Sequence, residues 1–104
     1  MKTKDIFLAN VQYGMANYPR PVVIIEVCKN SAIVGLISSA IDLYNPVYDF
    51  LILPDNPEFP ATGLDCKSII KGYPFPELDS KKFIRQLGCL TGSLADDFDK
   101  WLGK

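Results

Sequence analysis

The chain has 104 residues, 48% of them hydrophobic, and 11 Lys or Arg against 12 Asp or Glu give a formal charge of −1. That is the length of one domain, 1–104, apolar enough for a packed core and too apolar for a disordered chain. The near-neutral balance excludes tight nonspecific binding of long duplexes, which needs many phosphate contacts, but not a local site for a short single strand.

Taken in chain order, Asp5 to Val11 predicts a first strand, with Ile6, Phe7, Leu8 and Val11 supplying strand-forming bulk. Gln12 to Pro19 reads as a loop punctuated by Gly14, Asn17 and Pro19. Pro21 to Val27 (PVVIIEV) is a β-branched run that predicts a second strand, with Pro21 at its first position, where no ladder donor is needed. A turn over Lys29-Asn30-Ser31 leads to a third strand, Ala32 to Ser38, paired with the second as a hairpin. Val47 to Leu53 predicts a fourth strand, PDNPEFP a loop, and LDCKSII a buried strand. GYPFP is rich in turn residues, and the spacing of Phe83, Ile84, Leu87 and Leu90 fits helix and strand alike.

The last stretch predicts a helix. Ser93 is placed to cap it, with Asp96 three residues on. Leu94, Phe98, Trp101 and Leu102 share one face, Asp96 and Asp97 suit the positive end of the helix dipole, and Lys100 suits the other. Many short strands followed by one terminal helix predict an α+β fold, mainly β: a small antiparallel barrel with a C-terminal α-helix.

The three cysteines, Cys28, Cys66 and Cys89, fit no zinc or CxxC spacing and read as small structural hydrophobes in a reducing compartment. The absence of histidine removes the commonest general base and metal ligand. The first residues lack the apolar run of a signal peptide. No apolar stretch reaches the roughly 18 residues of a membrane span. A cytoplasmic protein is expected, with no membrane partner.

In order and spacing, DIFLANV, a Gly-containing loop, RPVVIIEV, AIVGLISS, TGLDCKSII and FIRQLGCLTGSLADDFDKWL resemble the MazF/PemK toxins of type II toxin–antitoxin systems over nearly the whole chain. The resemblance implies an SH3-like barrel with Lys81–Leu90 as a strand, and a homodimer with an RNA groove along its interface. It implies a toxin restrained by a cognate antitoxin protein, which lays a flexible acidic segment across the groove. It further implies an endoribonuclease that cleaves single-stranded RNA without metal or cofactor, leaving a 2′,3′-cyclic phosphate and a 5′-hydroxyl.

On that comparison, Arg20 and Ser38 are the catalytic candidates. Arg20 stands directly before Pro21, where the family has its loop arginine, and a guanidinium matches phosphate oxygens. Ser38 matches the family's Thr or Ser at the end of the third strand, with Ser39 taking its place if the register slips by one. Candidate RNA contacts are Gly14 in the loop, Tyr18, Ser39, Lys67 and Ser68. Tyr13 or Tyr18 can stack on a base, or pack a ring on the barrel mouth. The loop QYGMANYPR is one residue shorter than the family's from its glycine to its arginine and lacks the family glutamate.

Charge is segregated along the chain: Lys67, Lys71, Lys81, Lys82 and Arg85 cluster late, whereas Asp42 to Asp65 holds five acidic residues and no basic one. Two other readings compete. One is a non-catalytic toxin of the same fold, like the CcdB type, which inhibits a topoisomerase by protein binding and whose dependence on its C-terminus parallels the Trp101 helix here. The other is a nucleic-acid-binding barrel with no toxicity.

Overall fold

The computed structural model of the protein describes residues 1–13, 15–72 and 74–103, and for Tyr13 the backbone. Among the described residues there are seven strands: β1 (Asp5–Tyr13), β2 (Ala16–Val27), β3 (Ser31–Ser38), β4 (Phe50–Ile52), β5 (Ser68–Ile70), β6 (Glu77–Asp79) and β7 (Phe83–Cys89). A short helix α1 (Phe59–Thr62) precedes β5, and α2 (Gly92–Trp101) ends the chain. The strands form one antiparallel sheet in the order β4-β5-β3-β2-β1-β7, with β6 paired to the start of β3. The fold is therefore mainly β with a C-terminal helix, as expected. The end strands β4 and β7 do not pair with each other, so the ladder does not close into a ring.

The largest departure from expectation lies in the first hairpin. Gln12 and Tyr13 extend β1 and Ala16 to Pro19 open β2, where a loop was expected: the two strands stay in register from Ile6↔Val23 to Tyr13↔Ala16. Two prolines inside β2 are compatible with this because of where their missing N–H groups would point. The Ile24 carbonyl accepts from the Lys4 amide on the β1 side, so even-numbered residues of β2 face β1. Pro19 and Pro21 then face the opposite edge, which β3 covers only from Val22 onward. Arg20 is consequently not at the start of a strand but five residues into β2, opposite Ala9.

Both faces of the central strands are buried. Ile6, Val23, Ile37 and Ile70 pack on one side with Ile52, Phe59, Leu90, Leu94 and Phe98. Ala9, Val11, Val22, Ile24, Ala32 and Val34 pack on the other with Phe7, Leu36, Leu78 and Phe83. Double burial explains why VVII is a continuous apolar run rather than an alternating one.

Two expected strands are shorter than their apolar runs. Of Val47–Leu53 only Phe50–Ile52 is strand, because the Asp49 carboxylate holds the preceding segment as a turn. It accepts from the Asn45 amide at 2.9 Å, the Gly72 amide at 3.0 Å and the Lys71 ammonium at 3.0 Å. Of LDCKSII only Ser68–Ile70 is strand. Thr62 Oγ1 donates to the Phe59 carbonyl and accepts from the Leu64 amide, and Ser68 Oγ donates to the Cys66 carbonyl, so the hydroxyls shape a turn there.

Helix α2 buries Leu94 and Phe98 and tilts Trp101 onto Phe50 and Phe98, with ring centroids 5.5 and 5.6 Å away. The Trp101 indole N–H donates to the Tyr48 carbonyl at 3.0 Å. The expected Ser93–Asp96 cap does not form. The N-cap residue is Thr91, without a side-chain cap bond, and the first turn holds no acidic residue. The carboxylate of Glu58, 35 residues earlier, instead accepts from the Ser93 amide at 2.8 Å and the Ser93 hydroxyl at 2.9 Å. Gly92 makes this possible: at φ 56°, a β-carbon there would lie 2.3 Å from the Glu58 carboxylate.

No helix among the described residues is long and apolar enough to cross a membrane.

Candidate functional site

A cleft of about 420 Å³ opens beside β1, on the face that carries Leu8, Pro21 and Ile37. Three parts of the fold build it. The first is the β2-β1-β7 ladder, in which Leu8 pairs with Pro21 on one side and with Arg85 on the other. Neighbouring strands are about 4.8 Å apart, so the backbones carrying Arg20 and Arg85 are about 10 Å apart across β1. The second is the end of β3, which delivers Ser39. The third is the α1–β5 connection, which supplies Leu64, Asp65 and Cys66 and leads into Ser68.

Close backbone contact holds that third wall in place. A β-carbon on Gly88 would fall 2.1 Å from the Ala61 carbonyl oxygen, so only glycine lets β7 approach α1 this closely. The ladder between β1 and β7 also shifts register between Leu8 and Ala9, passing from Arg85 to Phe83 and leaving Ile84 unmatched. A bulge of this kind re-aims the side chains beside it, and Arg85 is the neighbour.

The cleft brings together three of the predicted residues, Arg20, Ser39 and Ser68. Arg20 lines it from the part of β2 that β3 does not cover, next to Pro21, which pairs with Leu8. Ser39 is exposed. Ser68 is only 4% exposed, and its hydroxyl proton is committed to the Cys66 carbonyl at 2.8 Å. The other predicted residues lie elsewhere. Ser38 is half-buried outside the cleft lining, and its Oγ accepts from the Ala40 amide at 3.1 Å. Tyr18 is 49% exposed on the hairpin arm opposite Val11. Lys67 is exposed and does not line the cleft. Gly14 and the Tyr13 side chain lie outside the described residues.

Three further cleft residues were not among the predicted site residues, although Arg85 belongs to the late basic cluster and Cys66 was read as structural. Arg85 sits in FIRQLGC, where only the strand assignment reveals which side chains share the face of Leu8. Asp65 sits in a segment expected to be buried strand, yet it is exposed. Cys66 was expected to be a small buried hydrophobe and is exposed, whereas Cys28 and Cys89 are half-buried; all three are free thiols. Neither Arg85 nor Asp65 forms an ion pair among the described residues.

The second carboxylate of interest, Asp49, is spent on the fold. Burial works against its ionisation, but the amides of Asn45 and Gly72 and the Lys71 ammonium outweigh this and hold its pKa below the ordinary range. Among the described residues, no group of three or more His, Cys, Asp or Glu is placed to hold a metal ion.

Compared with known proteins, the chain matches no protein-family model and no curated protein. The cleft must therefore be read from its own chemistry. Arg20 and Arg85 on the two strands flanking β1, an exposed hydroxyl and a carboxylate line this cleft, a set of residue types that suits a phosphodiester and includes a proton acceptor.

Proposed function

We propose that the protein is an RNA-cleaving toxin of the MazF/PemK type, acting in the cytoplasm on single-stranded RNA and restrained by an antitoxin. The observation that carries this reading is that Arg20 and Arg85, on the two strands that flank β1, line one cleft together with Ser39 and Asp65. The SH3-like barrel and a homodimer with a groove along its interface belong to the same proposal.

The reaction is an attack of a ribose 2′-oxygen on the adjacent phosphorus with departure of the 5′-oxygen. It requires loss of the 2′-proton, protonation of the leaving oxygen, and stabilisation of the charge on the phosphorane. The last requirement is usually the largest in a site built of fixed dipoles and charges. Arg20 serves it through its planar fork, matched to two phosphate oxygens. Arg85 neutralises the chain on the other side of β1. Ser39 is the hydroxyl exposed in the cleft, so it takes the phosphate-orienting role that the resemblance gave to Ser38, its neighbour.

The test is incubation of the purified protein with a panel of single-stranded RNAs in EDTA. Discrete cuts are expected, and Arg20→Ala lowers their rate by about 10²–10³-fold while far-ultraviolet circular dichroism is unchanged. A folded protein that cuts none of a diverse panel contradicts the nuclease reading and favours a toxin that acts by protein binding.

A further inference from the structure

We propose that Asp65 is the general base of the cleft, taking the proton from the ribose 2′-hydroxyl. The inference rests on the ribonuclease reading and adds the residue that reading lacks. The β1–β2 hairpin carries no acidic residue between Val11 and Arg20, and the chain holds no histidine. A proton acceptor must then come from another wall. Among the described residues lining the cleft, Asp65 is the one carboxylate.

Its setting suits the task. Asp65 lies in the irregular connection between α1 and β5, exposed, and its carboxylate makes no ion pair among the described residues. An ionised carboxylate is purely an acceptor, and one not engaged in holding the fold is available to substrate. Asp49 makes the contrast: its two oxygens accept from two amides and an ammonium, and it is 5% exposed. The charged and titratable groups sharing the cleft with Asp65 are Arg20 from β2, Arg85 from β7 and Cys66 beside it. The wall carrying Asp65 is fixed by two close approaches, Gly63 against Leu87 of β7 and Gly88 of β7 against Ala61 and Thr62 of α1, so the carboxylate is delivered from a braced segment.

The step balances without a further reagent. The 2′-oxygen forms its bond to phosphorus as its proton passes to the Asp65 carboxylate. The bond from phosphorus to the 5′-oxygen then breaks, and that oxygen takes a proton from water. Asp65 returns its proton to solvent, and the products are a 2′,3′-cyclic phosphate and a 5′-hydroxyl.

The experiment compares wild type, Asp65→Asn, Asp65→Glu and Arg20→Ala on one RNA that the wild type cuts, with kcat and KM measured between pH 4 and 9. Asp65→Asn should lower kcat by about 10²–10⁴-fold and leave KM within about threefold. Asp65→Glu should recover part of kcat. Asp65→Asn with near-wild-type kcat overturns the assignment, as does a raised KM at unchanged kcat, while the ribonuclease reading stands on Arg20→Ala. A wild type that cuts no RNA removes the ribonuclease reading and the Asp65 assignment with it.

Discussion

Arg20, Arg85 and Asp49 show how differently charged side chains are used in this protein. Arg85 is exposed in the cleft without an ion pair among the described residues, so its charge is available to a phosphate. Arg85→Ala is expected to weaken single-stranded RNA binding and to reduce the slope of log K against log salt by about 0.7, the value for one phosphate contact. A titration series at several salt concentrations reads this directly. Asp49 behaves oppositely, because its carboxylate works in the folded state. Its pKa is depressed on folding, so the stability it contributes is present above the ordinary value of 3.8 and is lost as pH falls through the lower folded value. Asp49→Asn should therefore narrow the stability gap between pH 7 and pH 3, measured by urea unfolding at both.

At the scale of elements, two devices hold the fold around the cleft. The first is the carboxylate of Glu58 at the start of α2. Hydrogen bonds from the Ser93 amide and hydroxyl keep its pKa below the ordinary carboxylate range. Glu58→Ala is expected to lower the urea midpoint at neutral pH without altering the unfolding slope, and the loss should shrink in acid as the wild-type carboxylate protonates. The second is the α1–β7 contact. Gly88→Ala forces a β-carbon against the Ala61 carbonyl and should cost about 1–3 kcal/mol, with RNA cleavage falling as the Asp65 wall is displaced.

Periodicity and propensity made part of this visible in the sequence. PVVIIEV and AIVGLIS were legible as strands because β-branched residues crowd there, and α2 because its apolar residues share one face. The β1–β2 arm was not legible. Gly14, Asn17 and Pro19 read as loop, and only the pairing pattern reveals that Pro19 and Pro21 face an edge β3 does not cover. The Glu58 cap and the Asp49 turn were equally hidden, since each joins residues far apart in sequence. In the cleft, Arg20 was found through its place before Pro21. Arg85 and Asp65 needed the register of β7 and the turn before β5.

At the scale of the whole molecule, one sheet separates two apolar cores, and α2 closes the one beneath the cleft's face. Phe98 is 1% exposed and meets Phe50 edge-on at 5.8 Å. Phe98→Ala should cost about 3–5 kcal/mol, a loss that calorimetry would register as a large fall in Tm. A functional account of the molecule then turns on one reaction: scission of RNA by its own 2′-oxygen in a cleft between Arg20 and Arg85. The most direct test is mass spectrometry of the termini released from single-stranded RNA by the purified protein in EDTA. The account predicts a 2′,3′-cyclic phosphate on one fragment and a 5′-hydroxyl on the other, both lost with Arg20→Ala. Intact RNA, or fragments bearing a 5′-phosphate and a 3′-hydroxyl, would contradict it.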